Sequence, residues 1–363
     1  MKTLSARAAE AASVLQLGDG DVSDGAPSRR RDVRVVALGG GTGLPVMLRA
    51  LKAVLFPAAR AGGRARERER LTAIVTAADD GGSSGRLREA YQVLPPGDIR
   101  NCLLALADAD PTLSAIFAYR FVGDAEHGVG GHSLGNLILA ALSHLEHDFL
   151  AALDCATRML AVRGRVLPAT LEDVRLVAEF EDESSVEGES LISTVRRPIR
   201  RVYLRPGGAS ALPEARRAIA AADLVFLGPG SLYTSIMPVL LVEGIAEAIA
   251  TSRARVVLVM NLMSEPGETD GYGPADFVRA IVRHAPRIAI HDVLVNVTPI
   301  PDDLIRQFAA AEACPIAADR EALIALGCRP VERDLLGADP HIRHDVSKLA
   351  RAIVDLALEG AAR

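Results

Sequence analysis

Apolar positions change their spacing repeatedly along this chain, and each change marks an element. "VRVVAL" (Val33–Leu38) is a near-continuous β-branched run, which predicts a parallel strand buried on both faces. A glycine cluster, Gly39–Gly40–Gly41–Thr42–Gly43, follows. "LPVMLRALKAVL" then repeats apolar residues at helical spacing, with Pro45 suited to a first turn. "LTAIVTAA" (Leu71–Ala78) predicts a second strand, "PPGDIRNCLLALAD" (Pro95–Asp108) a helix, and Gly135 to about Val162 one long helical stretch. "RLVAEF" and "IRRVYL" read as strands around the acidic "EDESSVEGES". "DLVFLGPGS", "RVVLVMNLM" and "HDVLVN" then alternate with helices up to a C-terminal helix ending near Leu358.

Strands alternating with helices predict an α/β fold. The expectation is a Rossmann-like, doubly wound, mostly parallel sheet covered on both faces, with a helical insertion. A single domain over residues 32–360 is expected behind a disordered tail, 1–31, which is rich in Ala, Gly, Asp and Ser. The charged "PAARAGGRARERER" (Pro57–Arg70) reads as a solvated linker.

Charge and composition narrow the function. The 363 residues carry a net charge of −5, and aromatics make up 4% with no Trp, so neither bulk attraction to nucleic acid nor a base-stacking platform is expected. No apolar run reaches the roughly 18 residues of a membrane span, and no secretory signal is visible. Cys102, Cys155, Cys314 and Cys328 lie far apart and read as buried thiols in a reducing cytosol. A cytoplasmic protein is expected.

Candidate chemistry concentrates where strands meet helices. Gly40, Gly41, Thr42 and Gly43 open a helix, where unpaired N–H groups favour an anion. Leu44 stands where a dinucleotide fingerprint needs glycine, and the P-loop lysine is missing. At the end of the second strand, "AADDGGSSGRLREA" sets Asp79 and Asp80 before Gly81, Ser83, Ser84 and Arg86. Acids in that position meet ribose hydroxyls or hold a metal over phosphates, and the small residues bring backbone donors close. The alternative is an Asp-Gly turn with an internal acid–Arg pair.

Asp98 reads as a helix N-cap, leaving Arg100 and Asn101 to face a cleft. "GVGGHSLGNLILAAL" offers His132 and Asn136 as phosphate or hydroxyl contacts, or as plain hydrogen-bonded residues. "FLGPGSLYTSIMP" offers Gly230, Ser231 and Thr234, and "NLMSEPGETDGYGPADF" offers Asn261, Glu268, Thr269 and Tyr272. Tyr272 suits a flat base or sugar face, or a loop anchor. The pairs His144/His147 and His341/His344 lack a third metal ligand and are read as surface or core residues. No base beside Ser83 or Ser231 is identifiable.

Six ordered motifs, "VVALGGGTGL", "IVTAADDGGSSGRLR", "PPGDIRNCLLAL", "GHSLGNLILAAL", "LGPGSLYTSIMP" and "NLMSEPGETDGY", together resemble the YvcK family of gluconeogenesis factors. That family is related to the 2-phospho-L-lactate transferases (CofD), and the resemblance implies a CofD-like domain. It also implies a cytoplasmic regulator that binds UDP-sugars such as UDP-N-acetylglucosamine and supports cell shape and wall maintenance during gluconeogenic growth. Tyr272 matches the position associated with UDP-sugar binding, and Arg306 is the assigned basic ligand contact. Cell-wall synthesis proteins are the implied partners, a homo-oligomer is expected, and no cofactor is required. Under the alternative, a nucleotide-linked transferase, Asp79 and Asp80 are the catalytic candidates and hold Mg²⁺. The chain departs from the usual motifs at Val239 and Glu265.

Overall fold

Strand β1 (Val35–Gly39) is buried along its whole length in this computed structural model, and its side chains divide between two cores. Val36 and Leu38 join one cluster, Val35 and Ala37 the other. A strand faces two apolar layers only inside a sheet covered on both sides. The structure describes residues 33–57, 65–124, 128–308, 312–338 and 341–361. The tail 1–31 and half of the Pro57–Arg70 linker, residues 58–64, lie outside the described residues; within its later part, Ala65–Arg68 is a helical turn.

The remaining strands are β2 (Leu71–Val75), β3 (Arg165–Pro168), β4 (Arg175–Phe180), β5 (Ser185–Glu187), β6 (Ile199–Arg205), β7 (Leu224–Leu227), β8 (Arg255–Val259), β9 (Asp292–Asn296) and β10 (Arg329–Arg333). Seven of them form a sheet ordered β10-β9-β8-β7-β1-β2-β3, with every neighbour parallel. The predicted strands "RLVAEF" and "IRRVYL" pair with each other antiparallel, in a separate sheet ordered β5-β4-β6.

One face of the large sheet is covered by α1 (Gly43–Leu55), α3 (Pro96–Leu106), α5 (Leu134–Glu146), α6 (Phe149–Met159) and α14 (Val346–Ala361), through residues such as Leu48, Leu103, Leu139, Leu153 and Ile353. Helices α2 (Gly82–Tyr91) and α4 (Pro111–Ala118) belong to the same region. The other face holds α8 (Pro213–Ala220), α9 (Met237–Leu240), α10 (Ile245–Thr251) and α11 (Pro274–His284), together with the small sheet. Three short helices, α7 (Glu189–Val195), α12 (Asp302–Phe308) and α13 (Arg320–Ala325), complete the set. No helix among the described residues is long and apolar enough to cross a membrane.

Three local expectations need correction. The stretch from Gly135 to Val162 is two helices, because His147 turns left-handed (φ 53) and the Asp148 side chain caps α6 by accepting the Leu150 N–H at 2.8 Å. Asp98 is not a cap. Helix α3 starts at Pro96 after Pro95, and Asp98 lies inside its first turn with other work. Cys102 and Cys328 are buried, but Cys155 is half-buried and Cys314 exposed.

The chain runs from β1 to β2 and β3 on one side, and returns to β7 on the other. The topological switch therefore falls between β1 and β7, and a crevice opens at their carboxyl ends. Because the sheet is fully parallel, the loops after β1, β2, β7 and β8 all emerge there.

Candidate functional site

The loops after β1 and β7 approach each other backbone to backbone. A Cβ on Gly43 would lie 2.3 Å from the Pro229 carbonyl oxygen, so only glycine fits this contact. On the far side, a Cβ on Gly40 would lie 2.5 Å from Asp98 Oδ2 and 2.7 Å from Thr76 Cγ2. Asn261 fixes the β7 loop: its Oδ1 accepts the Gly230 N–H at 2.9 Å, and its Nδ2 donates to the Gly230 carbonyl at 3.1 Å. The same Nδ2 lies 3.1 Å from Glu265 Oε1. The Gly228–Pro229 peptide is cis.

A cleft of about 450 Å³ opens beside this contact, within the range of small-ligand sites. Thr42, Gly43, Pro45, Val46 and Arg49 line it from the start of α1, with Asn101 and Leu104 from α3. Pro229, Gly230 and the run Asn261–Glu265 form the opposite wall. Ile342, Arg343 and His344 close it from a strap that follows β10. The strap folds back on itself through Gly337 N–H to Arg343 O (2.9 Å) and Asp345 N–H to Leu335 O (2.8 Å).

Charge in this cleft is unbalanced. Arg49 and Arg343 have no acidic partner among the described residues, and burial together with Arg343 pulls the Arg49 guanidinium below its usual range. Thr42 precedes α1 without a side-chain cap, so the helix start also presents unpaired donors. Two cations and a helix N-terminus facing one space suit a phosphate or diphosphate.

Behind the glycine contact the sign reverses. Asp98 Oδ2 accepts the Gly41 N–H at 2.7 Å, and burial plus nearby Asp79 push its carboxyl up to about 7. Burial, with Asp79, Asp98, Asp80 and Glu268 nearby, raises Glu189 to about 8. Burial and Glu265 raise Glu268 to about 8 as well. Asp79 is raised by burial, against hydrogen bonds from Ser84 and from the Gly81 N–H at 2.9 Å. Carboxyls held near neutrality this way can give or accept hydrogen bonds with hydroxyl groups.

Asp80 takes a different task. Its two oxygens accept the N–H groups of Glu189 (3.0 Å) and Ser190 (2.9 Å), anchoring the start of α7. These bonds engage one lone pair on each Asp80 oxygen. No three His, Cys, Asp or Glu side chains among the described residues are arranged to hold a metal.

The residues predicted around α2 and α5 form a buried hub. Arg100 donates to Ser133 Oγ, to Asn136 Oδ1 (2.9 Å) and to Asn101 Oδ1 (2.6 Å). Asn136 Nδ2 donates to Ser83 Oγ at 2.9 Å, and Ser83 Oγ also meets His132 Nδ1 at 2.9 Å. His132 is therefore the base that the sequence did not place beside Ser83; burial and Arg86 hold its pKa low. Ser84 Oγ accepts the Gly97 N–H at 3.1 Å. Arg86 donates to the Gly130 carbonyl at 2.7 Å, and Arg88 pairs with Asp173.

Thr234 donates to Glu268 Oε1 at 3.0 Å from the π-helical turn Leu232–Ile236, which Ser231 precedes. Tyr272 shares a hydrogen bond with the Tyr233 hydroxyl at 2.9 Å and lines a second cleft, about 670 Å³, across the Asn261–Tyr272 loop. Arg306 is exposed on α12 and lines neither cleft.

Of the residues singled out from sequence, Thr42, Gly43, Asn101, Gly230 and Asn261 meet in the cationic cleft. Arg49, Glu265, Arg343 and His344 also line it but were not assigned to it. Arg49 was within reach of pattern reasoning, being two helical turns beyond Thr42 with Pro45 and Val46 between. Nothing local marks Arg343.

The fully parallel sheet with its site at the switch point defines a Rossmann-like α/β protein. The family model described as 2-phospho-L-lactate transferase CofD matches residues 35–336, and the chain belongs to this family. The gluconeogenesis factor of Halalkalibacterium halodurans is 44% identical over 322 residues, covering 88% of this chain and 95% of that one. The gluconeogenesis factor of Bacillus subtilis (strain 168) is 43% identical over 327 residues, covering 90% and 98%. A crystal structure of a Bacillus halodurans protein superposes with a TM-score of 0.82 at 43% identity, covering 89% of this chain and 100% of that one.

Proposed function

We propose that this chain is a cytoplasmic regulator that binds a UDP-sugar, such as UDP-N-acetylglucosamine, and acts on cell shape and wall maintenance during gluconeogenic growth. The observation that carries the reading is the change of sign along one crevice. Arg49 and Arg343, without an acidic partner among the described residues, lie on one side of the Gly43–Pro229 contact, and near-neutral Asp98, Glu189 and Glu268 on the other. A nucleotide sugar has the matching polarity, with a diphosphate for the cations and a polyol for the carboxyls. Its relatives' name, gluconeogenesis factor, supports the physiological setting.

The test is calorimetry with UDP-N-acetylglucosamine, GDP and NAD, with and without Mg²⁺. Binding of the UDP-sugar is expected, and its absence overturns the reading. The family model's own name favours a second reading, a nucleotide-linked transferase. Mg²⁺-dependent turnover of a GTP-derived lactyl donor would establish it.

A further inference from the structure

Buried polar atoms without a hydrogen-bond partner are costly, so their positions are informative. Among the described residues, those that are not arginine nitrogens are Glu265 Oε2, Glu268 Oε2 and His344 Nε2, and two of these three residues line the cationic cleft. His344 is the better defined. Its ring bonds the Met260 carbonyl, and with Nε2 unpartnered that bond falls to Nδ1 as donor. The tautomer is thereby fixed, and Nε2 is a bare acceptor. Burial keeps the imidazole neutral, down to about 4.

Apolar residues share the cleft with this acceptor. Leu262 and Met263 follow Met260 along one wall, and Ile342 stands beside His344 on the strap. One bare acceptor beside apolar residues suits a planar ring with a single ring N–H; a sugar face needs several polar partners. Asn101 adds the complement. Its Oδ1 is taken by Arg100, so its Nδ2 is the group left to donate, as a ring carbonyl requires.

Resting on the nucleotide reading above, we propose that His344 reads the base: its Nε2 accepts the ring N–H of a uracil or guanine, and the cleft rejects a cytosine, whose ring nitrogen at that position is itself an acceptor. Because Nε2 is shielded from water, the entering base displaces the atoms that cover it.

The experiment is calorimetric titration of the full chain and of His344→Ala with UDP, CDP, 3-methyl-UDP, GDP and 1-methyl-GDP. For the wild-type chain, UDP is expected to bind about tenfold or more tightly than CDP and 3-methyl-UDP. The GDP pair reports whether guanine is accepted on the same terms. In His344→Ala the methyl group gains room, so 3-methyl-UDP should bind as well as UDP, a ligand-specific rescue that a purely structural histidine would not give. Equal wild-type affinity for UDP, CDP and 3-methyl-UDP overturns this proposal and leaves nucleotide binding standing. Full discrimination persisting in His344→Ala overturns it too, as does binding of none of the five, while the UDP-sugar reading is decided by its own titration.

Discussion

Asp98 Oδ2 holds the backbone N–H of Gly41 at 2.7 Å, tying helix α3 to the first glycine loop. Nothing else fits between them: a methyl on Gly40 would meet the same oxygen at 2.5 Å. Gly40→Ala should therefore push the carboxylate off Gly41 and cost about 1–3 kcal/mol of stability. Chemical denaturation measures this, and an unchanged midpoint would show that the loop relaxes freely.

Arg49 and Arg343 reach one cleft from distant parts of the chain, and neither has an acidic partner among the described residues. Removing either by alanine substitution should weaken UDP-N-acetylglucosamine by about tenfold while leaving thermal stability level or slightly raised, since the two cations repel. Added salt should weaken wild-type binding more than binding by the double variant. Titration at two ionic strengths decides it.

Asp80→Asn separates two roles. As an anchor for the Glu189 and Ser190 N–H groups, an asparagine keeps one of the two acceptors and sets its Nδ2 donor against the other N–H, so stability should fall by about 1 kcal/mol while UDP-sugar affinity holds. Asp80→Ala should cost about 0.5–2 kcal/mol. A collapse of affinity in the asparagine variant alone would assign the charge to ligand or metal.

Glu268 carries its proton up to about 8 in the folded chain, against the ordinary 4.5. The unfolded chain gives that proton up first, so stability falls as pH rises from the ordinary carboxyl range to about 8 and levels beyond it. His344, lowered to about 4, acts in the opposite sense only below its ordinary 6.5. Above pH 6.5 the histidine contribution fades and the raised carboxyls set the sign of the slope. Glu268→Gln keeps an acceptor for Thr234 and should remove about 1–2 kcal/mol of that decline. Melting temperatures across this interval give the slope directly.

Periodicity revealed the parallel sheet because each central strand is apolar on both faces, as Val35 to Leu38 are. It also located the glycine turns, whose residues carry a backbone requirement visible locally. It failed where a partner is remote. Asp98 looks like a helix cap in isolation and becomes a bridge only when Gly41 is beside it, 57 positions away. Arg86 likewise donates to the Gly130 carbonyl, 44 positions away. Arg343 and His344 gain meaning only from a strap that returns from the sheet's edge, a contact no spacing rule encodes.

The order in which the walls of the cleft occur along the chain has a consequence for how the protein becomes competent. Gly43 and Arg49 are made early, Asn101 next, Gly230 and Asn261 much later, and Arg343 and His344 after the last strand, with α14 then packing against α1. Contacts of such long sequence separation form slowly and late in folding. An unfinished chain presents only fragments of the cleft. Competence to bind therefore reports that the whole domain has been synthesised and folded, and ligand present at that moment would favour the completed form over its precursors.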